Sequence, residues 1–368
     1  MVENIYLRMM VVVMSDIDWK DFQIGGKEGV FSIKSSISEI DKKNLNDEVG
    51  ETPYVTRTDL NNGISMYVTK NQDKKYIPNK GNVISIGLDT QTIFYQPTEF
   101  YTGQNIQILS HEKMNEDIAR YLIPLLKIQL SKFSWGGNGA TLKRLNNSRI
   151  MLPINEKDEL HWEYMEEQGK ALYDRKHNDI LKYLRKKQIA LKTQLSTTNE
   201  HILEEKSWAE FVIEDIVDIK SGVRLTKDDQ KEGSTPFIGA TEYNNGVTAY
   251  VSNINNSLDS NVIGVNYNGA VVESFYHPYK ALFSDDVKRI ELKNTSYQNK
   301  YVYLFLITMI EMQKKKYMYS YKFNAKRMSK QKILLPINSI GNPDWNFMEN
   351  YMKQIEYEKL TKIINYLS

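Results

Sequence analysis

Short apolar runs, each broken after a few residues by Asn-Gly or Pro, fill the first third of the chain. Tyr54-Val55, Ile64 to Val68 and Val83 to Ile86 read as brief strands of a compact β-rich domain. From Ile118 to Leu130 the spacing becomes helical. A Leu152-Pro153-Ile154-Asn155 turn then leads into a long charged helix, from about Trp162 through Leu195. The same succession then starts again. Phe237-Ile238, Val247 to Val251 and Val262 to Val265 are the strands, Lys300 to Gln313 is the helix, and Leu335-Pro336-Ile337-Asn338 is the turn. A second long helix runs from about Trp345 to the C-terminus. Tyr301 to Ile307 is apolar nearly all round, which predicts burial against the sheet.

This succession is a duplication. Thr52-Pro53-Tyr54-Val55, Asn61-Asn62-Gly63-Ile64 and Tyr67-Val68 return as Thr235-Pro236-Phe237-Ile238, Asn244-Asn245-Gly246-Val247 and Tyr250-Val251, all at an offset of 183. The offset holds for Lys143-Arg144-Leu145 with Lys326-Arg327-Met328, and for Trp162 to Glu166 with Trp345 to Glu349. It drifts by a few residues at Trp19/Trp208, Ile33-Lys34-Ser35/Ile219-Lys220-Ser221 and Phe94-Tyr95/Phe275-Tyr276, as loop insertions require.

In the first long helix Leu172, Ile180, Leu181, Leu184 and Ile189 stand among many charges. Such a helix is not stable on propensity alone and needs a partner for its apolar seam. The second long helix is the natural partner; the alternative is that each helix packs only on its own domain. At 1.5 Å per residue the first helix is about 50 Å long.

The 368 residues match two ordinary domains, with 41% hydrophobic and 26% charged residues. Cysteine is absent, which removes disulfides and thiolate metal sites and fits a reducing cytoplasm. His111, His161, His177, His201 and His277 have no metal-ligand spacing, so no metal is expected. The run Met9 to Met14 is too short to span a bilayer and is followed by no cleavage site. It reads as part of an N-terminal extension over residues 1–18, with Met14 the more natural start of the folded chain, and no membrane partner is expected. The net charge of +2 announces no nucleic-acid binder, so any basic surface must be local.

No catalytic constellation emerges. Asn342-Pro343-Asp344-Trp345 resembles the tetrapeptide of amino-methyltransferases, but its third residue is wrong and no Gly-rich cofactor loop precedes it. Trp135-Gly136-Gly137-Asn138-Gly139 has glycines without the preceding strand. Pro343-Asp344 is followed by no Glu-x-Lys on a strand, and the first repeat has Leu160-His161 there. The tetrapeptide is expected to be a turn into the long helix.

The segment from Lys314 to Arg327 interleaves lysines with Tyr317, Tyr319, Tyr321 and Asn324. Cations neutralise phosphates while Tyr and Asn reach sugars and base edges, so such a loop can hold and read a duplex. A solvated basic loop with buried tyrosines is the other reading. The first repeat, Ser131 to Arg144, ends in the same Lys-Arg pair but differs before it. A second candidate surface is the Asn-Gly region, Arg57, Thr58, Asn61 and Asn62, with Ala240, Thr241, Asn244 and Asn245 in the second repeat. Asn-Gly alone reads first as a hairpin turn.

Trp208…Ile216-Val217-Asp218-Ile219-Lys220-Ser221-Gly222, Thr235 to Thr241 and Tyr321-Lys322-Phe323-Asn324 resemble the target-recognition domains of type I restriction enzyme specificity subunits. The likeness runs from Trp19 to the end and is fainter in the first repeat, where Gly25-Gly26 and Ser35-Ser36 replace the Lys-Ser-Gly pattern. It implies an α+β architecture: recognition domains over 19–158 and 201–341, and long spacer helices over 159–200 and 342–368 that pair as an antiparallel coiled coil. It also implies a non-catalytic subunit whose two domains each read half of a bipartite site in double-stranded DNA, with half-sites about one helical turn apart. Adenine-N6 methyltransferase subunits would dock on the helices and bind S-adenosylmethionine, which this chain would not, and a motor-nuclease subunit is an optional third member. Related systems fuse methylation and cleavage in one partner, and the wording of the second repeat fits them equally. Under the resemblance Lys143, Arg144, Lys322, Lys326 and Arg327 are candidates for backbone or groove contacts, and Tyr319, Tyr321 and Asn324 for base readout. A duplicated protein-binding or structural module is the rival reading.

Overall fold

The computed structural model describes residues 17–133, 139, 141–195, 203–317 and 321–368. Two compact units divide the chain, Met1–Ile180 and Leu181–Ser368. Within the first, β1 (Asp18–Gln23) pairs antiparallel with β9 (Arg149–Ile154), setting Trp19 opposite Pro153. Between them lie β2 (Ser32–Ser35), β3 (Val49–Val55), β4 (Ile64–Val68), β5 (Val83–Gly87), β6 (Ile93–Gln96), β7 (Tyr101–Thr102) and β8 (Ile106–Ser110). Helices α1 (Glu116–Leu130) and α2 (Leu142–Asn147) follow, and α3 (Trp162–Gln194) leaves from the end of β9. The sheets are four-stranded β2-β8-β5-β6 and three-stranded β4-β3-β7, the latter with one parallel pair, β3 with β7.

The second unit repeats this plan. Its strands are β10 (Trp208–Val212), β11 (Val217–Ser221), β12 (Glu232–Ile238), β13 (Val247–Val251), β14 (Val262–Asn266), β15 (Ser274–His277), β16 (Leu282–Phe283), β17 (Val287–Leu292) and β18 (Lys332–Pro336). Its helices are α4 (Ile213–Ile216), which has no counterpart among the first unit's helices, then α5 (Lys300–Glu311), α6 (Ala325–Lys330) and α7 (Trp345–Leu367). Sheet orders β11-β17-β14-β15 and β13-β12-β16 reproduce those of the first unit. Trp208 again faces a proline, Pro336. The two expected Leu-Pro-Ile-Asn turns are corrected here. Leu152 to Ile154 and Leu335-Pro336 are strand, and the turns begin at Asn155 and Asn338, closed by Asn155 N to Glu159 O (2.8 Å) and Asn338 N to Asn342 O (2.9 Å).

Each main core lies between the four-stranded sheet and its helix. Ile84, Ile86, Leu109, Ile118, Leu122 and Met165 are buried together in the first unit. Ile263, Val265, Ile290, Val302, Tyr303, Leu306 and Met348 are buried together in the second. The all-round apolar character of Tyr301 to Ile307 is explained by this position, with Val302, Tyr303, Phe305, Leu306 and Ile307 all buried. Apolar burial at about 25 cal/mol per Å² is the main stabilising term in each unit.

Asparagine seats both long helices. Asn115 Oδ1 accepts from Ile118 N (2.9 Å) to cap α1, and its Nδ2 donates to Glu166 on α3 (2.8 Å). Asn299 caps α5 through Tyr301 N and Val302 N, and donates to Glu349 on α7 (3.0 Å). A single side chain therefore satisfies orphan helix donors and also binds a carboxylate of the next helix.

Residues of α3 beyond Ile180 belong to the second unit, where they run beside α7 in the opposite direction. Arg185 Nη2 donates to Ser368 Oγ (3.2 Å), Gln188 Nε2 to Thr361 Oγ1 (2.7 Å), and Lys187 pairs with Glu356 (2.6 Å). Leu181, Leu191, Leu360 and Ile364 are buried on these two helices. The spacing 181, 184, 188, 191 is the three-four alternation of a coiled-coil seam. Ile180 and Ile189, expected among the apolar positions, fall off this spacing and stay 52% and 64% exposed.

Glu356 is the polar anchor of this packing. It accepts from Lys187 and Lys300, the latter at 2.8 and 2.9 Å. Burial pushes its carboxyl up, but hydrogen bonds from Lys187, Lys300 and Tyr301 outweigh that and hold it at about 2. Because the folded value lies below the ordinary 4.5, this stabilisation is complete at neutral pH and is lost as pH falls towards 2. Glu356→Gln should cost about 1–3 kcal/mol in urea unfolding at pH 7, with the difference from the parent shrinking below pH 4.

His277 is fully buried, and burial lowers its pKa from 6.5 to about 4. The register places it where the first unit has Gln96, opposite Val262 as Gln96 is opposite Val83. Gln96 Nε2 donates to Ser85 Oγ (3.0 Å), whereas a Cβ at the matching Gly264 would sit 2.9 Å from His277 Nε2. Since the unfolded chain binds this proton at higher pH than the folded one, stability falls as pH drops from 6.5 to 4. Replacing the pair by that of the first unit, Gly264→Ser with His277→Gln, should flatten the thermal-stability profile across that window. The expected gain at pH 4 is up to about 3 kcal/mol.

Candidate nucleic-acid interface

The candidate residues fall on loops and on a short helix at corresponding places in the two units. Asn61 and Asn62 adopt left-handed conformations (φ 47° and 59°), as do Asn244 and Asn245 (φ 52° and 53°). Gly63 N bonds to Leu60 O and Gly246 N to Tyr243 O, both at 2.9 Å. These are two-residue turns with both central residues at positive φ, which asparagine tolerates through its short polar side chain. Each closes an eight-residue excursion, with Thr56 N to Gly63 O (2.8 Å) and Gly239 N to Gly246 O (2.9 Å). Asn62 Nδ2 donates to Tyr95 O (2.8 Å) and Asn245 Nδ2 to Tyr276 O (3.4 Å), so these amides tie the turn to the neighbouring strand; Asn245 Nδ2 also donates to Tyr279 Oη (3.0 Å). Thr58 Oγ1 accepts from Leu60 N and Thr241 Oγ1 from Tyr243 N, both at 3.2 Å. Arg57 is paired with Asp89. Asn61 and Asn244 remain exposed at the tips.

The second cluster surrounds α2 and α6. Thr141 caps α2 by accepting from Arg144 N (3.4 Å), and Asn324 caps α6 by accepting from Arg327 N (3.0 Å). Asn324, expected to read bases, thus spends its carbonyl oxygen on the helix. Arg144 Nη1 donates to Gly139 O (2.9 Å) and Arg327 Nη1 to Lys322 O (2.7 Å), each five residues back. Both guanidinium groups therefore brace the loop that precedes their helix. Lys143 and Lys326, one residue earlier, stand exposed. Leu145 and Met328, one residue later, are buried in the cores.

Tyr321 is half exposed, yet its ring is partly covered on its faces. The Arg327 guanidinium carbon lies 3.8 Å from its centroid, and Tyr317 stacks parallel to it at 5.8 Å. Tyr317 in turn rests on the buried Phe323 (4.4 Å), and its hydroxyl donates to Gln331 (2.6 Å). This stack offers the hydroxyl edge of Tyr321, not a free face, to a ligand. Lys322 is half-buried beside it. Tyr319 and the Trp135 to Asn138 stretch lie outside the described residues.

Sequence reasoning missed the loop joining β5 to β6 and its counterpart joining β14 to β15. Both lie between the two clusters. Asp89 holds Arg57, and Gln91 Nε2 donates to Phe133 O (2.6 Å). In the second unit Asn266, the last residue of β14, donates from Nδ2 to Thr241 O (3.0 Å), and Glu273 of the loop pairs with Lys314. Neither loop carries a basic residue, which is why charge patterning passed over them.

The Asn342 to Trp345 tetrapeptide is structural. Asp344 Oδ1 caps α7 through Phe347 N (3.0 Å), and its other oxygen pairs with Lys206 (2.6 Å). Among the described residues no group of His, Asp and Glu is arranged to hold a metal, and no helix is long and apolar enough to cross a membrane.

A family model described as the type I restriction modification DNA specificity domain matches the chain twice, over residues 16–197 and 205–366. The type II restriction enzyme BgcI specificity subunit S.BcgI of Heyndrickxia coagulans is 42% identical over 313 residues, covering 83% of this chain and 86% of the relative. The S subunit of a type I restriction–modification system from M. genitalium aligns in structure with a TM-score of 0.49 and 16% identity, over 96% of this chain and 94% of that one. The HsdS subunit from Thermoanaerobacter tengcongensis aligns with a TM-score of 0.32 and 12% identity, over 95% and 90%. The two matched regions coincide with the two repeats, each taking in one β-rich body and its long helix. The chain therefore belongs to the type I restriction–modification DNA specificity family, and is a specificity subunit built from two copies of the recognition unit.

Proposed function

We propose that this subunit reads a bipartite site in double-stranded DNA, one half-site per unit, and delivers it to catalytic partners without catalysing a reaction itself. The observation that carries this reading is the repeated loop-and-helix cluster. Lys143 and Lys326 occupy the same exposed position in the two units, while the loop before each differs in sequence. A shared cation suits the phosphate backbone common to any two half-sites, and differing loops suit different bases. The partners are adenine-N6 methyltransferase subunits that bind S-adenosylmethionine, with a motor-nuclease subunit as an optional third member. The name of the 42% identical relative attaches it to a type II restriction enzyme, which supports the version in which one partner both methylates and cleaves. The absence of cysteine fits action in a reducing cytoplasm.

Co-expression with a methyltransferase subunit of the same system, followed by genome-wide mapping of N6-methyladenine by single-molecule sequencing, tests the reading. A split motif with a fixed unread spacer, lost when this chain is omitted, is the expected result. A soluble complex that methylates nothing, and binds duplex DNA without salt dependence, would favour a protein-binding module. Lys326→Ala should weaken binding to every DNA sequence about equally and lower the salt slope by about one. A changed methylation motif would remove Lys326 from the phosphate contacts.

A further inference from the structure

Residues that are identical and identically engaged in the two units cannot tell one half-site from another. Asn61-Asn62-Gly63 and Asn244-Asn245-Gly246 form the same turn, Arg144 and Arg327 the same brace, and Lys143 and Lys326 the same exposed charge. Discrimination has to come from where the units differ within the surface these groups outline.

The β5–β6 and β14–β15 loops are such a place. The flanking strands pair in the same register in both units, Ile84 with Tyr95 and Ile86 with Ile93, Ile263 with Tyr276 and Val265 with Ser274. Between these fixed ends the loop has five residues in one unit, Leu88 to Thr92, and seven in the other, Tyr267 to Glu273. Their backbones also differ. The shorter closes with Gln91 N on Gly87 O (3.0 Å), with Gln91 at φ 55°. In the longer one Val272, fully buried, sits at φ 72° and donates to Asn266 O (2.8 Å). A β-branched residue in the left-handed region is strained by about 1–3 kcal/mol, and the surrounding structure holds it there. Gly269 leaves no room for a side chain, since a Cβ would lie 2.7 Å from Ala240 O in the neighbouring candidate loop.

We infer that these two loops set the base preference of each unit, with the exposed Thr90 at the tip of the first and the backbone at the exposed Gly269 at the tip of the second facing base edges. The inference rests on the DNA-reading function proposed above. A duplex lying across both the asparagine turn and the exposed lysine meets this loop, because the loop is tethered to both sides. The Asn268 amide donates inward to Asp286 (3.0 Å), so the tips offer the Thr90 hydroxyl and the backbone groups around the exposed Gly269, which suit the donor and acceptor pattern of the major groove.

Two variants of the full subunit, each assembled with its methyltransferase, test this. In the first, Leu88 to Thr92 is replaced by the Tyr267 to Glu273 sequence. In the second, Thr90→Arg changes an exposed side chain without touching the core. Selection from a randomised duplex library and methylation mapping are the readouts. The expected result is a changed or relaxed preference within one half-site, roughly five- to a hundred-fold at one or two base positions. The other half-site and the spacer should stay as in the parent. An unchanged motif for both variants overturns the inference, as does uniform tightening by Thr90→Arg with a steeper salt slope, which marks a phosphate neighbour. If the parent complex itself shows no sequence preference, the proposed function fails instead. Should the loop exchange abolish assembly, Thr90→Arg decides alone.

Discussion

The pairing of the first strand of each unit with its last is the constraint on which the rest of the molecule depends. Asp18–Gln23 lies against Arg149–Ile154, and Trp208–Val212 against Lys332–Pro336. Contacts so distant in sequence bear a loop-closure cost, offset here by the packing of two sheets and a helix between them. Once closed, the strand pair fixes the point from which each long helix departs, and the asparagine that caps the preceding helix holds that departure through Glu166 or Glu349. The short helix bearing Lys143 or Lys326 sits immediately before the closing strand. The candidate surface and the long helix are thereby set relative to one closure in each unit.

Duplication separates structural from recognition roles within a single chain. Where both copies use a residue identically, as the braces Arg144 and Arg327 do, the simplest account is shared structure. Where one copy departs, as with buried His277 in place of Gln96, the change has been absorbed by a neighbour, Gly264 in place of Ser85.

Much of the fold was legible because its signals were periodic or repeated. The strands anchored by Tyr54-Val55, Val83 to Ile86 and Val262 to Val265 form as expected, and both long helices begin at the tryptophans that mark them, Trp162 and Trp345. Tyr101–Thr102 and Leu282–Phe283 escaped, since two-residue strands carry no period. The seam on α3 was only partly read: Leu181 and Leu184 lie on it, but choosing between Ile180 and Gln188 needs the partner helix. The candidate site was less legible than the fold. A Lys-Arg pair looks like two cations for phosphate, yet Arg144 and Arg327 turn inward to carbonyl oxygens five residues back. Asn324 looked like a base reader and is a helix cap. Side-chain chemistry names what a residue can do; the backbone around it decides which of these it does.

The closing strand pair also has a consequence for inheritance. Because each recognition body returns its chain beside the point of entry, it is joined to the rest of the polypeptide through two adjacent ends. A body of this kind can be exchanged at those ends for a homologous one that keeps the capping asparagine, since that residue holds the long helix through Glu166 or Glu349. Whole bodies, each already folded and already closed, are then the natural units of exchange.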